Sequence, residues 1–515
     1  MSLLMMKNLM SLENAMSLLS GLRAKVTAAT ASATVAIAAA PAIARLTVVT
    51  LVTSLAVAGH AHAALNIQHW TLDNGARVYF VESHTIPILD VSIEFDAGSR
   101  RDPAGKAGLS SLTNAMLARG LQAATLPDGR QEAAMSEAEI SDALADVAAQ
   151  RGGGASTDRA GMSMRTLVSK SEREVALRML ARLLAQPSFP AELFARDKAR
   201  TVSAIRESLT KPESIASKAF WRLAYGNHPY GVEATVESVE SITRDELEAF
   251  HRTHYVARNA VISMIGDISR AEAEAIAREL TLRLPATAPD GKPLPALPEV
   301  TLPQRAEERI PHPASQSHIL IGMPALSRGD PDFYALTVGN YILGGGGFVS
   351  RLTKEVREKR GLAYSAYSYF SPMLQPGPYQ AGLQTRKDQS DEALQVVRDS
   401  IAIWLRDGPT EAELKAAKDN LIGGFALRID NNRKILDNIS VIGYYQLPLD
   451  YLDTWTDKVA KVSIADIRAA FARKLSMDRM VTVIVGAEAD ARAKANDAKV
   501  AKDASGAQAG TAKTE

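Results

Sequence analysis

Residues 239–247 read VESITRDEL and residues 459–467 read VAKVSIADI. Few letters coincide, but the chemistry does. Val239, Ile242, Thr243, Glu246 and Leu247 are shadowed by Val459, Val462, Ser463, Asp466 and Ile467, each 220 positions on. Working outward, VISMIG (261–266) and VTVIVG (481–486) keep the same offset, and Glu192-Leu193 with Lys198 is echoed by Glu413-Leu414 with Lys418. Near the start of each copy, Ser99-Arg100-Arg101-Asp102-Pro103 answers to Ser327-Arg328-Gly329-Asp330-Pro331. A nearly constant offset over a whole half is the mark of an internal duplication, here of a domain of about 200 residues.

This sets the expected organisation: an N-terminal domain over 64–284, a linker over 285–305 and a C-terminal domain over 306–487. The linker, PATAPDGKPLPALPEVTLPQR, is rich in proline and suits an extended surface crossing. Within each copy, β-branched alternating runs (VYFVES, ILDVSIEFDAG and AVISMIGD in the first) lie between segments of helical spacing. The fold class is α+β, two homologous domains, each a sheet with helices packed on one face.

The ends read differently. LTVVTLVTSLAVAG (46–59) is an apolar run of secretory length, and Ala61-His62-Ala63 after it has the small-x-small form of a cleavage site. The reading is an export leader over 1–63, with a mitochondrial transit peptide as the alternative, and no stable membrane span once it is removed. Residues 488–515 are Ala/Lys/Asp/Gly-rich and are expected to be disordered.

Composition excludes several functions. With 59 Lys+Arg against 58 Asp+Glu there is no electrostatic case for nucleic acid, and with no cysteine there is neither disulfide nor thiolate metal site. His251 and His254 have ligand-like spacing, but they sit at a helix end without a third ligand, and a favourable place for cations at a helix C-terminus accounts for them. Ser208-x-x-Lys211 runs straight into Pro212 and lacks companion motifs. The run Gly344-Gly345-Gly346-Gly347 has no Lys-Ser/Thr after it, so it is either a tight turn or a substrate-contacting loop. One stretch offers usable chemistry: VSRLTKEVREKRGLAYSAYSYF (349–370), a basic amphipathic helix stopping at Gly361 and followed by a strand. Arg357 and Tyr364 face across that turn, and a guanidinium and a phenol so placed can both donate to one oxyanion.

Four segments of the first half and one of the second resemble a known family. GSRRDPAGKAGLSSLTNAMLARG (98–120), RTVSAIRESL (200–209), GNHPYG (226–231) and FHRTHYVARNAVISMIGDIS (250–269) resemble the first half of the pitrilysin/insulinase/mitochondrial-processing-peptidase zinc peptidases. LGGGGFVSRLTKEVREKRGLAYSAYSYF (343–370) resembles their second half, in the short bacterial two-chain branch. Active members carry H-x-x-E-H on the helix after G-K-x-G-L, two zinc ligands with a general base. Those positions here are Ser111, Asn114 and Ala115, and the third ligand's position is Glu207. One carboxylate cannot hold catalytic zinc, so the resemblance implies no metal in this chain and no peptidase activity alone. It also implies that Arg357 and Tyr364 are the family's second-half pair; Gly344, Gly345, Gly346 and Gly347 stay as the candidate substrate-binding loop. The expected partner is a homologous zinc-bearing subunit that closes on this one like a clamshell around a peptide substrate. The expected compartment is the bacterial periplasm. The alternative is a structural or peptide-holding scaffold. The family's substrate-pairing edge strand falls here on GGGASTD (152–158). The insertion LQAATLPDGRQEAAMSEAE (121–139) has no assigned role.

Overall fold

The computed structural model describes residues 65–126 and 129–486, so the leader and tail assignments lie outside the described residues. Strands β1 (Gln68–Thr71), β2 (Arg77–Glu82), β3 (Ile88–Phe95), β4 (Gln150–Ala155), β5 (Ala160–Leu167) and β6 (Val261–Gly266) form one sheet, in the spatial order β1-β2-β6-β3-β5-β4. Strands β7 (Ala306–Ile310), β8 (Gln316–Leu326), β9 (Ala363–Phe370), β10 (Gly377–Arg386) and β11 (Val481–Val485) form a second, ordered β7-β11-β8-β10-β9. Without β1, the first order is the second. Each sheet has one parallel pair, β2 with β6 and β7 with β11, and is otherwise antiparallel.

The longer helices are α1 (Leu109–Met116), α2 (Glu137–Asp146), α3 (Lys170–Ala185), α4 (Ala191–Ser208), α5 (Pro212–Tyr225), α6 (Arg244–His254) and α7 (Arg270–Thr281) in the first half. In the second they are α8 (Phe333–Asn340), α9 (Ser390–Asp407), α10 (Glu411–Gly423), α11 (Asn432–Tyr444) and α12 (Ile464–Lys474). The duplicated nonapeptide starts α6 and α12 in the same way. The Thr243 hydroxyl accepts from Glu246 N at 3.3 Å while Thr243 N donates to Glu246 Oε2 at 2.8 Å. Ser463 and Asp466 repeat this at 3.1 and 2.9 Å. Each box satisfies N–H groups that helix geometry leaves orphaned, which explains why hydroxyl and carboxylate recur while their neighbours drift.

Strand register explains the first core. Ile262 lies opposite Val78 and Ile93, and Ile93 opposite Met162, so one face of the sheet is continuously apolar. Against it pack α1, α3, α6 and α7 through Leu112, Leu180, Leu247 and Ile276, all buried. The other face is covered by a helix from the opposite half. Helix α11 lies over β6, β3 and β2, so close that a Cβ on Gly443 would come within 2.7 Å of the Tyr79 ring. Arg77 Nη1 donates to Gly443 O at 3.2 Å. Reciprocally, α5 lays Ala216, Ala219 and Phe220 on Leu320, Val481, Val483 and Val485 of the second sheet. Helices packed on one face therefore describes each half's own helices, and the second face is closed by exchange.

The seam between the halves is polar. The buried Asp158 carboxylate accepts from Tyr230 Oη (2.7 Å), Tyr445 Oη (2.8 Å) and Leu374 N (2.9 Å), with Arg100 Nη1 at 3.4 Å. The insertion at 121–139 forms short paired strands, Gly120–Leu121 with Met135–Ser136 and Ala124–Thr125 with Gln131–Glu132, before α2 begins. Glu132 ties it down through Arg283 at 2.7 Å and Gln186 at 2.8 Å.

Candidate functional site

Helix α1 begins at Gly108, whose φ of 103° is a left-handed conformation that favours glycine. Asp102 accepts from the N–H groups of Gly108 and Ser110, both at 2.8 Å, fixing the helix entry. Ser111 and Ala115 are exposed, one turn apart on the same face. Asn114 points inward and donates to Gly161 O and Tyr255 Oη, both at 3.2 Å. Its amide ties the helix to β5 and to the residue that follows α6.

Ala115 and Glu207 line one shallow cleft between α1 and α4. Glu207 is exposed and bonded by Lys211 Nζ at 2.7 Å, which lowers its pKa. At the same cleft, Arg119 Nε donates to Asp197 at 2.6 Å, Arg196 Nε to the other Asp197 oxygen at 2.9 Å, and both arginines pair with Glu137. Burial opposes the Asp197 charge, but hydrogen bonds from Arg196 and Arg119 outweigh it and hold the carboxyl below its usual value. The nearest charges are thus paired with one another. Among the described residues no group of three or more histidines or carboxylates could hold a metal ion. The residues at this position do not fit zinc.

The His251/His254 pair is resolved in the same sense. The His251 imidazole bonds Leu184 O through Nε2 at 2.7 Å, and His254 bonds Asp96 O through Nδ1 at 2.9 Å. Both are buried, and burial first of all depresses both pKa values, that of His251 to about 4. They are neutral core residues.

The second half presents its groups differently. The basic segment starts as an α-helical turn at Arg351–Thr353, widens to a π-helix over Lys354–Glu358, and is closed at Gly361, whose φ is 62°. The extra residue of a π turn re-aims the side chains beyond it. Arg357 on that turn lies with its guanidinium carbon 4.6 Å from the centre of the Tyr364 ring and 4.7 Å from that of Phe348. Two aromatic faces hold one cation, and the guanidinium makes no hydrogen bond or ion pair with any described residue. Tyr364 is 81% and Phe348 64% exposed. The donors of this pair point to solvent.

Phe348 was not picked out from sequence, and its only signal is an aromatic residue directly after a glycine run. That run has its own geometry. Tyr341–Gly345 is a second π turn, and Gly347 has φ 60°. A Cβ on Gly344 would meet Ser368 Oγ at 2.3 Å, so glycine is needed for the loop to lie on β9. The loop and the strand carrying Tyr364 are packed as one unit. In the first half, the GGGASTD stretch begins in β4, which is the edge of its sheet and borders α1.

Comparisons with known proteins agree with this geometry. The family described as "Peptidase M16 inactive domain" matches residues 241–421. A crystal structure of a peptidase M16 inactive domain from Pseudomonas fluorescens is 36% identical with a TM-score of 0.76, covering 82% of this chain and 98% of that one. An uncharacterised zinc protease of Mycobacterium leprae is 27% identical over 378 residues, 72% of this chain and 80% of the relative. The non-peptidase homologue YmxG of Helicobacter pylori is 24% identical over 396 residues, 76% of this chain and 87% of that protein. Among the described residues no helix is long and apolar enough to cross a membrane.

Proposed function

Because the chain belongs to the M16 peptidase family, in its inactive-domain branch, we propose that it is the non-catalytic subunit of a two-chain zinc peptidase of the periplasm. In this reading it lends Arg357 and Tyr364 to the active site of a homologous partner. The zinc, its ligands and the general base are the partner's to supply. The observation that carries the reading is the contrast between the two halves. In the cleft beside α1 Arg119, Arg196, Asp197 and Glu137 are paired with one another, whereas Arg357 lies against Phe348 and Tyr364 with its donors unused.

The chemistry follows from that placement. Attack on a peptide carbonyl moves negative charge onto its oxygen, and catalysis depends on donors already aimed where that charge develops. A guanidinium in contact with two aromatic rings has less freedom to lose when the substrate arrives, which lowers the reorganisation left to the reaction. The Tyr364 hydroxyl, from the second residue of β9, can donate to the same oxygen or hold the neighbouring main chain. Removing one such donor costs on the order of 10²-fold in rate.

The test is reconstitution. The purified chain is mixed with a zinc-bearing homologue having an intact H-x-x-E-H, and cleavage of a quenched peptide is followed for the mixture and for each chain alone. Activity that needs both chains and falls about 10²-fold with Arg357→Ala or Tyr364→Phe is the expected result. Hydrolysis by this chain alone overturns the reading. An active mixture indifferent to both substitutions favours the scaffold alternative.

A further inference from the structure

Helix α5 covers β8 and β11 but stops short of β9 and β10, so part of the second sheet's exchanged face is open. A cleft of about 390 Å³ occupies the gap. Its lining mixes Leu320, Leu383 and Ala216 with polar groups: His318 on β8, Gln380 and Gln384 on β10, and Tyr364 and Tyr367 on β9, with Glu213 from the first turn of α5 as its one carboxylate. The His318 side chain is only 13% exposed, and its nearest charged neighbour is Glu213, with Nε2 4.0 Å from Oε2. Neither the His318 ring nor the Gln384 amide makes a hydrogen bond to another described residue.

The duplication supplies an internal comparison. The matching cleft in the first half lies under α11, against β3, β4 and β5, and is smaller, about 230 Å³. There Glu94 is paired with Arg159 at 2.6 Å, and Arg433, 220 positions after Glu213, faces Asp437 at 3.6 Å. That cleft is closed by its own ion pairs. Its mate keeps a half-exposed carboxylate whose one ion-pair approach is the 4.0 Å to His318, a ring whose charge burial disfavours, while the neighbouring Lys211 is hydrogen-bonded to Glu207.

We propose that the cleft bounded by Glu213, His318, Gln380, Gln384, Tyr364 and Tyr367 is a subsite for a lysine or arginine side chain of an extended peptide. Charge complementarity to Glu213 chooses a cation. The amides and phenols give its N–H groups and the adjoining main chain neutral partners, and the depth of the cleft suits a long stem with a charged head. The outward carbonyls of β9, the edge strand of this sheet, are already held by Asn340 (2.9 Å to Ser368 O) and Thr353 (3.1 Å to Ala366 O), so the peptide is anchored by its side chain and not by strand pairing. The inference rests on the proposed function only in that Tyr364 belongs to both sites, so a peptide anchored here passes the donor pair. Subsite and donors then lie on one rigid strand.

Binding is measured on this chain alone by fluorescence anisotropy with two labelled alanine-rich decapeptides, one with a central lysine and one with glutamine in its place. The expected result is about a tenfold preference for the lysine peptide, abolished by Glu213→Gln and kept by Glu192→Gln, the same charge change elsewhere on the surface. Glu213 is more than half exposed, so its replacement leaves the fold intact. Equal binding of the two peptides, or a preference untouched by Glu213→Gln, overturns the subsite. Since no partner is present, that failure is separate from failure of reconstitution. An active mixture without lysine preference removes the subsite alone, and a lysine preference in a chain that never activates a partner removes the donor role alone.

Discussion

The guanidinium carbon of Arg357 sits 4.6 Å from the centre of the Tyr364 ring, across the turn at Gly361. The Phe348 ring lies 4.7 Å from the same carbon, so two aromatic rings contact the cation, and a planar guanidinium presents its donors as a fork. A lysine keeps the charge but not the plane. We expect Arg357→Lys to lower the reconstituted peptidase rate by at least about tenfold while shifting this chain's stability by less than about 1 kcal/mol, since the group is part-exposed. Paired measurements of kcat/KM and the urea midpoint check this. A lysine variant with full activity would mean that charge alone matters.

Rebuilding the lost site is a second prediction. Ser111 and Ala115 are exposed and one turn apart, and Glu207 shares the cleft with Ala115. The double variant Ser111→His, Ala115→His is expected to take up stoichiometric zinc in a calorimetric titration. It should not hydrolyse peptide, because Asn114 remains where a base is needed. Failure to bind zinc would show that Glu207 is not directed at the histidine pair.

Asp158 is the group whose loss should cost most. It is 2% exposed, it receives three hydrogen bonds, and it lies 3.4 Å from an arginine whose side chain is itself 1% exposed. Asp158→Ala leaves Arg100 with only Asp96 for a partner carboxylate and frees two phenols inside the seam. The expected destabilisation is about 3–5 kcal/mol, with Asp158→Asn milder because shape survives where charge does not. Equilibrium denaturation decides it, and a loss under about 1 kcal/mol for the alanine variant would sink the prediction.

His251 predicts a pH dependence. Burial keeps its folded pKa near 4, against about 6.5 unfolded. The unfolded chain therefore takes up this proton first as pH falls. The stability tied to the neutral ring is complete above about pH 6.5 and is lost between 6.5 and 4, amounting to about 2 kcal/mol by pH 5. His254, depressed in the same direction, adds to the slope. In His251→Gln, which keeps a donor for Leu184 O, the difference between urea midpoints at pH 7.5 and 5 is expected to shrink. An unchanged difference would assign the slope to other groups.

Much of this was readable from sequence because it rests on local rules. The constant offset survives where a position has one physical job, as Thr243 with Glu246 and Ser463 with Asp466 do in opening their helices. The Arg357–Tyr364 pairing was readable because a helix stop and a strand start fix seven residues in a row. Elsewhere the decisive partner is remote. Glu132 anchors the insertion through Arg283, 151 positions away, and nothing near Glu132 announces it. The apolar stripe of α5, Ala216, Ala219 and Phe220, would look the same whichever sheet it covered. The π turn at Lys354–Glu358 reads as ordinary helix in the sequence because one inserted residue barely disturbs the apolar spacing.

The exchange of α5 and α11 also sets a timetable. A ribosome finishes the first sheet at Gly266 and must go on to Tyr444 before the helix that shields its far face exists. During that interval Tyr79, Val261 and their neighbours stand exposed, an adhesive surface prone to aggregation. The second sheet has no such wait, for α5 is already made when β8 emerges. A nascent chain of this design matures from its later half backwards, and cutting it at the proline-rich crossing would yield two fragments, each missing its own cover.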